Sequence, residues 1–125
     1  MLTRAIQLHN AVLGVALHGT QVRHDAIINN IANADVPGFT ARRIEFESRL
    51  ADAVDRWQAS GRFDLSRTGP TTHFQEGNFF FRMDRSNVDM EREMVALYNN
   101  SVRYEAMVNS VLANSRLLNT VLTGR

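Results

Sequence analysis

The sequence predicts a mainly α-helical fold in which long N- and C-terminal helices pair as an antiparallel coiled coil. A short helix and loop or short-strand regions form the middle segment. Three observations support this prediction: apolar residues recur at helical spacing near both ends, the two terminal patterns have similar lengths, and both prolines, Pro37 and Pro70, lie between them. A chain of 125 residues is long enough for one domain.

The first segment, residues 1–39, is predicted to hold a helix over residues 2–33 and a turn at Pro37 and Gly38. Proline disfavours helical geometry in the residue before it, and glycine accepts a positive φ. At 1.5 Å per residue the helix would be roughly 45 Å long. The apolar positions of the helical stripe are Leu2, Ile6, Leu13, Leu17, Ile27 and Ile31; Asn10, Thr20 and His24 lie on the same stripe, and with them every step is three or four.

The last segment, residues 87–125, carries the most regular pattern. Its seam alternates steps of four and three, which is the 3.5-residue period of a coiled coil. We expect Ser86 or Asn87 to cap the helix, followed by acidic residues that suit its positive end. The helix would be roughly 50 Å long. The seam positions are Met90, Met94, Leu97, Ser101, Tyr104, Val108, Val111, Ser115, Leu118 and Leu122.

The middle segment, residues 40–86, differs from both ends. Phe46, Leu50, Val54 and Trp57 have the spacing of one short amphipathic helix, which is predicted to end near residues 60–61. Two groups of turn-forming residues follow, at positions 68–70 and 76–78. The three phenylalanines at positions 79–81 fit either a short strand or a docking patch.

Composition excludes several classes of function. The net charge is +1, which argues against nucleic-acid binding, and the chain has neither cysteine nor lysine. No apolar run approaches the ~18 residues of a membrane span, so we expect no direct lipid binding. The apolar stretch at residues 11–17 lacks the flanks and cleavage site of a signal peptide, so a cleaved signal is not expected.

The sequence offers no catalytic or metal-binding constellation. No two of the four histidines, His9, His18, His24 and His73, are three or four positions apart, so no helix face presents a pair of metal ligands. His24 and Asp25 are neighbours that point in different directions on a helix. We therefore expect no enzyme activity and no cofactor.

The end of the first helix carries a more specific pattern. Three asparagines bracket an Ile-Ala pair, and a Pro-Gly-aromatic sequence follows. The residues are Asn29, Asn30, Ile31, Ala32, Asn33, Pro37, Gly38 and Phe39. This pattern resembles the N-terminal signature of the bacterial flagellar axial proteins. Together with Ala41, Arg42, the run at residues 87–94 and Tyr104, the whole chain is similar to the B-type proximal rod subunits, the FlgB family. The chain departs from the family at Val36, Phe39 and Thr40, where threonine, tyrosine and lysine are common.

The resemblance implies a structural subunit of the flagellar basal-body rod. It implies export through the flagellar type III apparatus without cleavage, helical assembly across the periplasm, and contacts with other rod and basal-body proteins and with further copies of the chain. Phe46 and Leu50 resemble the motif by which such subunits engage the export gate, although both residues could simply pack beneath the short helix. Alternatives are a helical adaptor or secretion chaperone and, more remotely, a small periplasmic hydrolase.

Three structural expectations follow. First, Ile6, Leu13, Leu17 and Ile27 should pack against a core seam on the last helix, formed by Leu97, Tyr104, Val108, Val111 and Leu118. Second, Gly38 should have an unusual backbone angle. Third, the polar residues within both seams limit the apolar area that the hairpin can bury, so the ends of the free subunit should fold only on assembly.

Overall fold

A computed structural model describes residues 2–75, 83 and 86–124 of the chain. Helix α1 spans Leu2–Ala32, and strand β1 spans Arg42–Glu45. Helix α2 spans Glu47–Ser60 and is followed by a 3-10 turn at Leu65–Arg67. Strand β2 spans Thr71–Phe74, and helix α3 spans Met90–Thr123. The predicted mainly helical fold is confirmed, with two long terminal helices and a shorter helix between them.

The two long helices pack antiparallel. His9 Nε2 lies 2.6 Å from Asn114 Nδ2, near the N-terminus of α1 and the C-terminus of α3. Further along α1, the Thr20 carbonyl accepts a hydrogen bond of 2.9 Å from Asn100. Residue numbers rise along one helix as they fall along the other, which defines the antiparallel hairpin.

The exit from α1 is a tight turn with a left-handed glycine. The amide of Val36 donates to the Asn33 carbonyl at 3.0 Å, and the amide of Phe39 donates to the Val36 carbonyl at 3.2 Å. Gly38 has a φ of +72°, which confirms the expected unusual backbone angle. The turn redirects the chain from α1 into β1.

The middle segment holds the short strands expected there, at positions that the sequence did not predict, and the two strands form a two-stranded antiparallel sheet with α2 between them in the chain. Strands β1 and β2 pair antiparallel, with Arg42 opposite Phe74 and Glu45 opposite Thr71. The Thr71 hydroxyl adds a hydrogen bond of 3.0 Å to the Glu45 carbonyl. Four-residue strands are too short to show a clear two-residue alternation, so their sequences carry little strand signal.

Helix α2 confirms the short amphipathic helix of the middle segment. It begins after Phe46 and ends at Gly61, which has a φ of +70° and whose amide donates to the Trp57 carbonyl at 2.7 Å. Ala53 is buried, and Val54 and Trp57 are half-buried. The phenylalanines at positions 79–81 lie outside the described residues.

The start of α3 differs from the predicted cap. Asp89, rather than Ser86 or Asn87, is the N-cap, and its carboxylate accepts hydrogen bonds from the amides of Glu91 and Arg92 at 3.1 and 3.3 Å. Local spacing could not separate these polar residues, because Ser86 and Asn87 are recruited by tertiary contacts described below. At the other end, Gly124 closes the helix with a φ of +66°.

The described apolar core is small and lies where the segments meet. Ala34, Ala41 and Val88 are buried together, and Phe39 packs against them. Ile44 and Phe46 are also buried but are not part of this cluster. Within the described ranges, no helix combines the length and apolar character needed to cross a membrane.

Candidate functional site

The asparagine motif at the end of α1 organises a junction between the three segments. We define this junction as residues 29–43 together with residues 86–93. Asn30, which is fully buried, accepts a hydrogen bond from the amide of Arg42 at 2.8 Å and donates one to the Arg42 carbonyl at 2.9 Å. These two bonds satisfy both backbone groups of the first strand residue. Asn30 therefore fixes β1 to the end of α1.

The same asparagine reaches α3 through a buried carboxylate. Asn30 Nδ2 donates to Glu93 Oε2 at 3.1 Å, and Glu93 Oε1 lies 2.5 Å from Arg43 Nη1. Glu93 is fully buried, whereas the Arg43 side chain is 39% exposed. A buried carboxylate is tolerated only when it is paired and hydrogen-bonded. This triad therefore ties α1, β1 and α3 together in one register.

Ser86 and Asn87, which lie just before α3, complete the junction. Asn87 Oδ1 accepts from the amide of Ala41 at 2.7 Å, and its Nδ2 donates to the Gln75 carbonyl at 3.2 Å. The Ser86 hydroxyl donates to the Ala34 carbonyl at 3.1 Å. All three bonds join segments that are distant in sequence. Asn87 therefore joins the residue just before β1 to the residue just after β2, while Asn30 holds the first residue of β1.

The remaining motif residues take different positions. Asn33 Nδ2 donates to the Asn29 carbonyl at 2.7 Å, while the buried Asn29 Oδ1 has no hydrogen-bond partner among the described residues. Ile31 and Phe39 are half-buried, whereas Ala32, Pro37 and Gly38 are exposed. The motif thus has a buried framework, centred on Asn30, and an exposed Pro-Gly tip.

The predicted seam residues are placed unequally. Ile27 is buried, and Ile6, Leu13 and Leu17 are half-buried on α1. On α3, Leu97, Val108 and Val111 are half-buried, while Tyr104 and Leu118 are 38% and 37% exposed.

The most buried positions of α3 are polar. Glu93 and Asn100 are buried, whereas the predicted seam residue Met94 is 53% exposed. The face turned towards α1 keeps the 3.5-residue period but uses Glu93 and Asn100 in place of Met94 and Ser101. An apolar pattern could not reveal this shift, because the residues that mark the contact are charged or amide side chains.

Phe46 and Leu50, the candidate export motif, lie beside α1. Phe46 is buried, and the Arg23 guanidinium carbon sits 4.8 Å from the centre of its ring. Leu50 is half-buried. The ring lies so close to Gly19 that a Cβ atom there would stand 2.5 Å from it. In the folded chain Phe46 is therefore a packing residue between α1 and α2.

Arg23 links this packing to the end of β1. Its Nη2 donates to the Ile44 carbonyl at 2.9 Å, and its Nη1 lies 2.6 Å from Glu47 Oε1. The hydrogen bonds from Arg23 lower the pKa of Glu47 to about 2, against the opposing effect of partial burial. The carboxylate therefore remains ionised in any physiological medium and holds the start of α2 against α1.

The outward face of α3 is rich in exposed apolar side chains. Residues four apart share one face of a helix, and this face lies away from α1. We call these residues the outer α3 stripe: Met94, Val95, Tyr98, Val102 and Leu112, which are between 47% and 71% exposed. Beyond it, Leu117, Val121 and Leu122 are exposed near the C-terminus.

The sequence is similar to known proteins over most of its length. The family described as "Flagella basal body rod protein" matches residues 12–40, which cover most of α1 and the Pro-Gly turn. The chain is 30% identical over 122 aligned positions to the flagellar basal body rod protein FlgB of Bacillus subtilis, covering 87% of this chain and 88% of the relative. The chain belongs to the FlgB family of flagellar basal body rod proteins. The FlgB proteins of Yersinia enterocolitica and Escherichia coli are 37% and 29% identical, with 75% and 87% of their lengths covered.

The structure gives three residues a role in the junction that their sequence context does not reveal: Arg43, Asn87 and Glu93. Asn87 and Glu93 lie within the run at residues 87–94 that contributes to the resemblance, but nothing in the local sequence indicates that they are buried. In the parts of the chain that the structure describes, no three histidine, aspartate or glutamate side chains form a group suited to a metal ion.

Proposed function

We propose that this chain is a structural subunit of the proximal rod of the flagellar basal body, which assembles helically with further copies and with other rod proteins. Membership in the FlgB family supports its role as a structural component of the basal-body rod and its location in the basal body. The family is one of structural proteins, and we propose no catalytic activity. The observation that carries the finer proposal is the exposed outer α3 stripe.

The outer α3 stripe has the character of a contact surface. Tyr98 is 71% exposed, Val95 60% and Val102 47%, on one side of a single long helix. Contiguous exposed apolar surface of this kind marks protein interaction sites in soluble proteins. Tyrosine in particular is enriched where interfaces form, because it offers a large apolar ring and a polar tip. Neighbouring subunits would remove this stripe from water.

The face on which α1 and α3 meet contains buried polar contacts that fix how the two helices are aligned rather than adding much stability. Its buried contacts include Asn100 with the Thr20 carbonyl and Asn30 with Glu93. Buried polar groups at seam positions restrict alternative alignments at a cost in stability. The hairpin therefore gains much of its stability from neighbours, and its ends fold when it assembles. Contacts between different faces of identical subunits extend into a helical filament when they do not close.

The three segments suit different tasks in such an assembly. We propose that the two terminal segments contribute the long helical core through α1 and α3, and that the middle segment contributes an appendage that carries α2 and the two-stranded sheet. We propose that the chain reaches the periplasm through the flagellar type III apparatus without a cleaved signal peptide. Phe46 is buried in the folded chain, so recognition of Phe46 and Leu50 at an export gate requires the unfolded chain.

The outer stripe can be tested by placing a charge on it. Val102→Asp should abolish swimming and remove rods from purified basal bodies, because a carboxylate at a buried contact is strongly unfavourable. Gln58→Asp, on the exposed surface of α2, is the matched control and should leave both unchanged. Normal rods in the Val102→Asp strain, or absence of the wild-type chain from purified basal bodies, would refute the proposal.

A further inference from the structure

A groove of about 290 Å³ opens on the flank of the hairpin, near its middle. It is bounded by α1 on one side and α3 on the other. It shares no residue with the junction or the outer α3 stripe, although Glu105 lies one turn after Val102 and so borders the stripe. The residues that line the groove are Thr20, Gln21, His24, Asn100, Ser101, Tyr104 and Glu105.

Two hydroxyl donors and one amide hydrogen in the groove are already used in bonds within the chain. The Thr20 hydroxyl donates to the Ala16 carbonyl at 2.6 Å, and the Ser101 hydroxyl donates to the Leu97 carbonyl at 2.9 Å. Asn100 Nδ2 donates to the Thr20 carbonyl at 2.9 Å. The two hydroxyls can therefore offer only acceptor lone pairs to an occupant, whereas Asn100 keeps the lone pairs of its Oδ1 and the second hydrogen of its Nδ2.

One of these acceptors is buried and unsatisfied. Asn100 is 3% exposed, and its Oδ1 has no hydrogen-bond partner among the described residues. Buried amide oxygens in native proteins are almost always hydrogen-bonded. An occupant that donates a hydrogen bond to the Asn100 Oδ1 would therefore be favoured in the groove.

The rim of the groove selects the charge of that occupant. Glu105 is exposed and supplies a carboxylate, and Tyr104 is 38% exposed and supplies an aromatic ring. Acceptors, a carboxylate and an aromatic face together favour a cation that carries N–H groups. All fourteen basic residues of this chain are arginine, so within an assembly of identical copies the side-chain cation with a permanent charge is guanidinium.

We propose that this groove receives an arginine side chain from a second copy of the chain in the assembled rod. The inference rests on the proposed function and identifies one contact by which copies join. A guanidinium has five N–H donors in a plane, enough to reach the Asn100 oxygen and the Glu105 carboxylate together. Four arginines lie at exposed positions of the two long helices and are the candidate donors: Arg4, Arg92, Arg103 and Arg116. A groove on one copy and an arginine on the next form a heterologous contact, which propagates along a filament.

Charge reversal at the rim tests the recognition. Glu105→Arg should lower the amount of the chain in purified basal bodies about tenfold at equal expression, because like charges repel across an interface. Asp52→Arg, the same kind of charge reversal at an exposed position of α2 outside this groove, is the control and should assemble normally. Changing the occupying arginine to glutamate should restore assembly of the Glu105→Arg chain.

Cross-linking tests the partner, and the natural chain has no cysteine to confuse it. Gln21→Cys on one copy is combined in cells with Arg4→Cys, Arg92→Cys, Arg103→Cys or Arg116→Cys on a second copy. One combination should give a disulfide-linked dimer in purified basal bodies. Normal incorporation of Glu105→Arg would mean that the groove holds only water, and absence of every dimer would mean that a second copy does not supply the arginine. Either result overturns the inference while the wild-type chain is still found in basal bodies. Absence of the wild-type chain would instead refute the proposed function.

Discussion

Replacing Gly38 with valine isolates the energetic contribution of the Pro-Gly turn. A Cβ atom built on Gly38 meets nothing within 4 Å, so the substitution introduces no clash. The cost comes from the backbone alone, because a β-branched residue must adopt a φ of +72°. We expect a destabilisation of about 1–3 kcal/mol for Gly38→Val. Gly38→Asn should cost less, because asparagine tolerates the left-handed region best among non-glycine residues.

The assay compares swimming in soft agar and the yield of purified basal bodies for Gly38→Val, Gly38→Asn and Thr40→Val. Thr40 is exposed two positions further on and changes to the same β-branched residue without a left-handed backbone requirement. We expect Gly38→Val to be impaired most and Thr40→Val to resemble the wild type. Equal motility and equal rod yield for Gly38→Val and Thr40→Val would refute the argument that this turn needs a left-handed residue.

Four further predictions concern stability, which can be followed through urea unfolding and the fluorescence of the single tryptophan. Gly19→Ala should cost about 1–3 kcal/mol, because its Cβ would lie 2.5 Å from the Phe46 ring, whereas Gly14→Ala has open space and should be neutral or stabilising. Glu93→Gln should destabilise the fold by about 1–3 kcal/mol, since it removes the negative charge that pairs with the partly exposed Arg43. Glu47→Gln should lose at most about 1 kcal/mol above pH 4.5; the loss should shrink as pH falls from 4.5 to about 2, because the unfolded chain protonates this carboxylate first. In the free subunit, proteases should trim both ends first, and a fully helical monomer with resistant ends would contradict folding on assembly.

The sequence by itself determined the elements that depend on local chemistry. The long helices have enough periodic apolar residues to be recognised, and proline and glycine mark where they stop. The left-handed angle at Gly38 and the end of α2 at Gly61 followed from the same reasoning, because these conformations are set within a few residues. The asparagine motif identified the family through its order along the chain, without any knowledge of its contacts.

Only the tertiary structure decided which polar residues are buried. A glutamate on a helix usually lies on a solvent-exposed face, yet Glu93 is buried, because Asn30 and Arg43 approach it from parts of the chain 63 and 50 positions away. Ser86 and Asn87 look like helix caps, but their hydrogen bonds go to segments that return to them in space. The two-stranded sheet likewise depends on long-range contacts, because β1 and β2 are separated by α2 in the chain. Local sequence determines which conformations a segment prefers, whereas the satisfaction of a buried polar group depends on partners that only the folded chain brings within hydrogen-bonding distance.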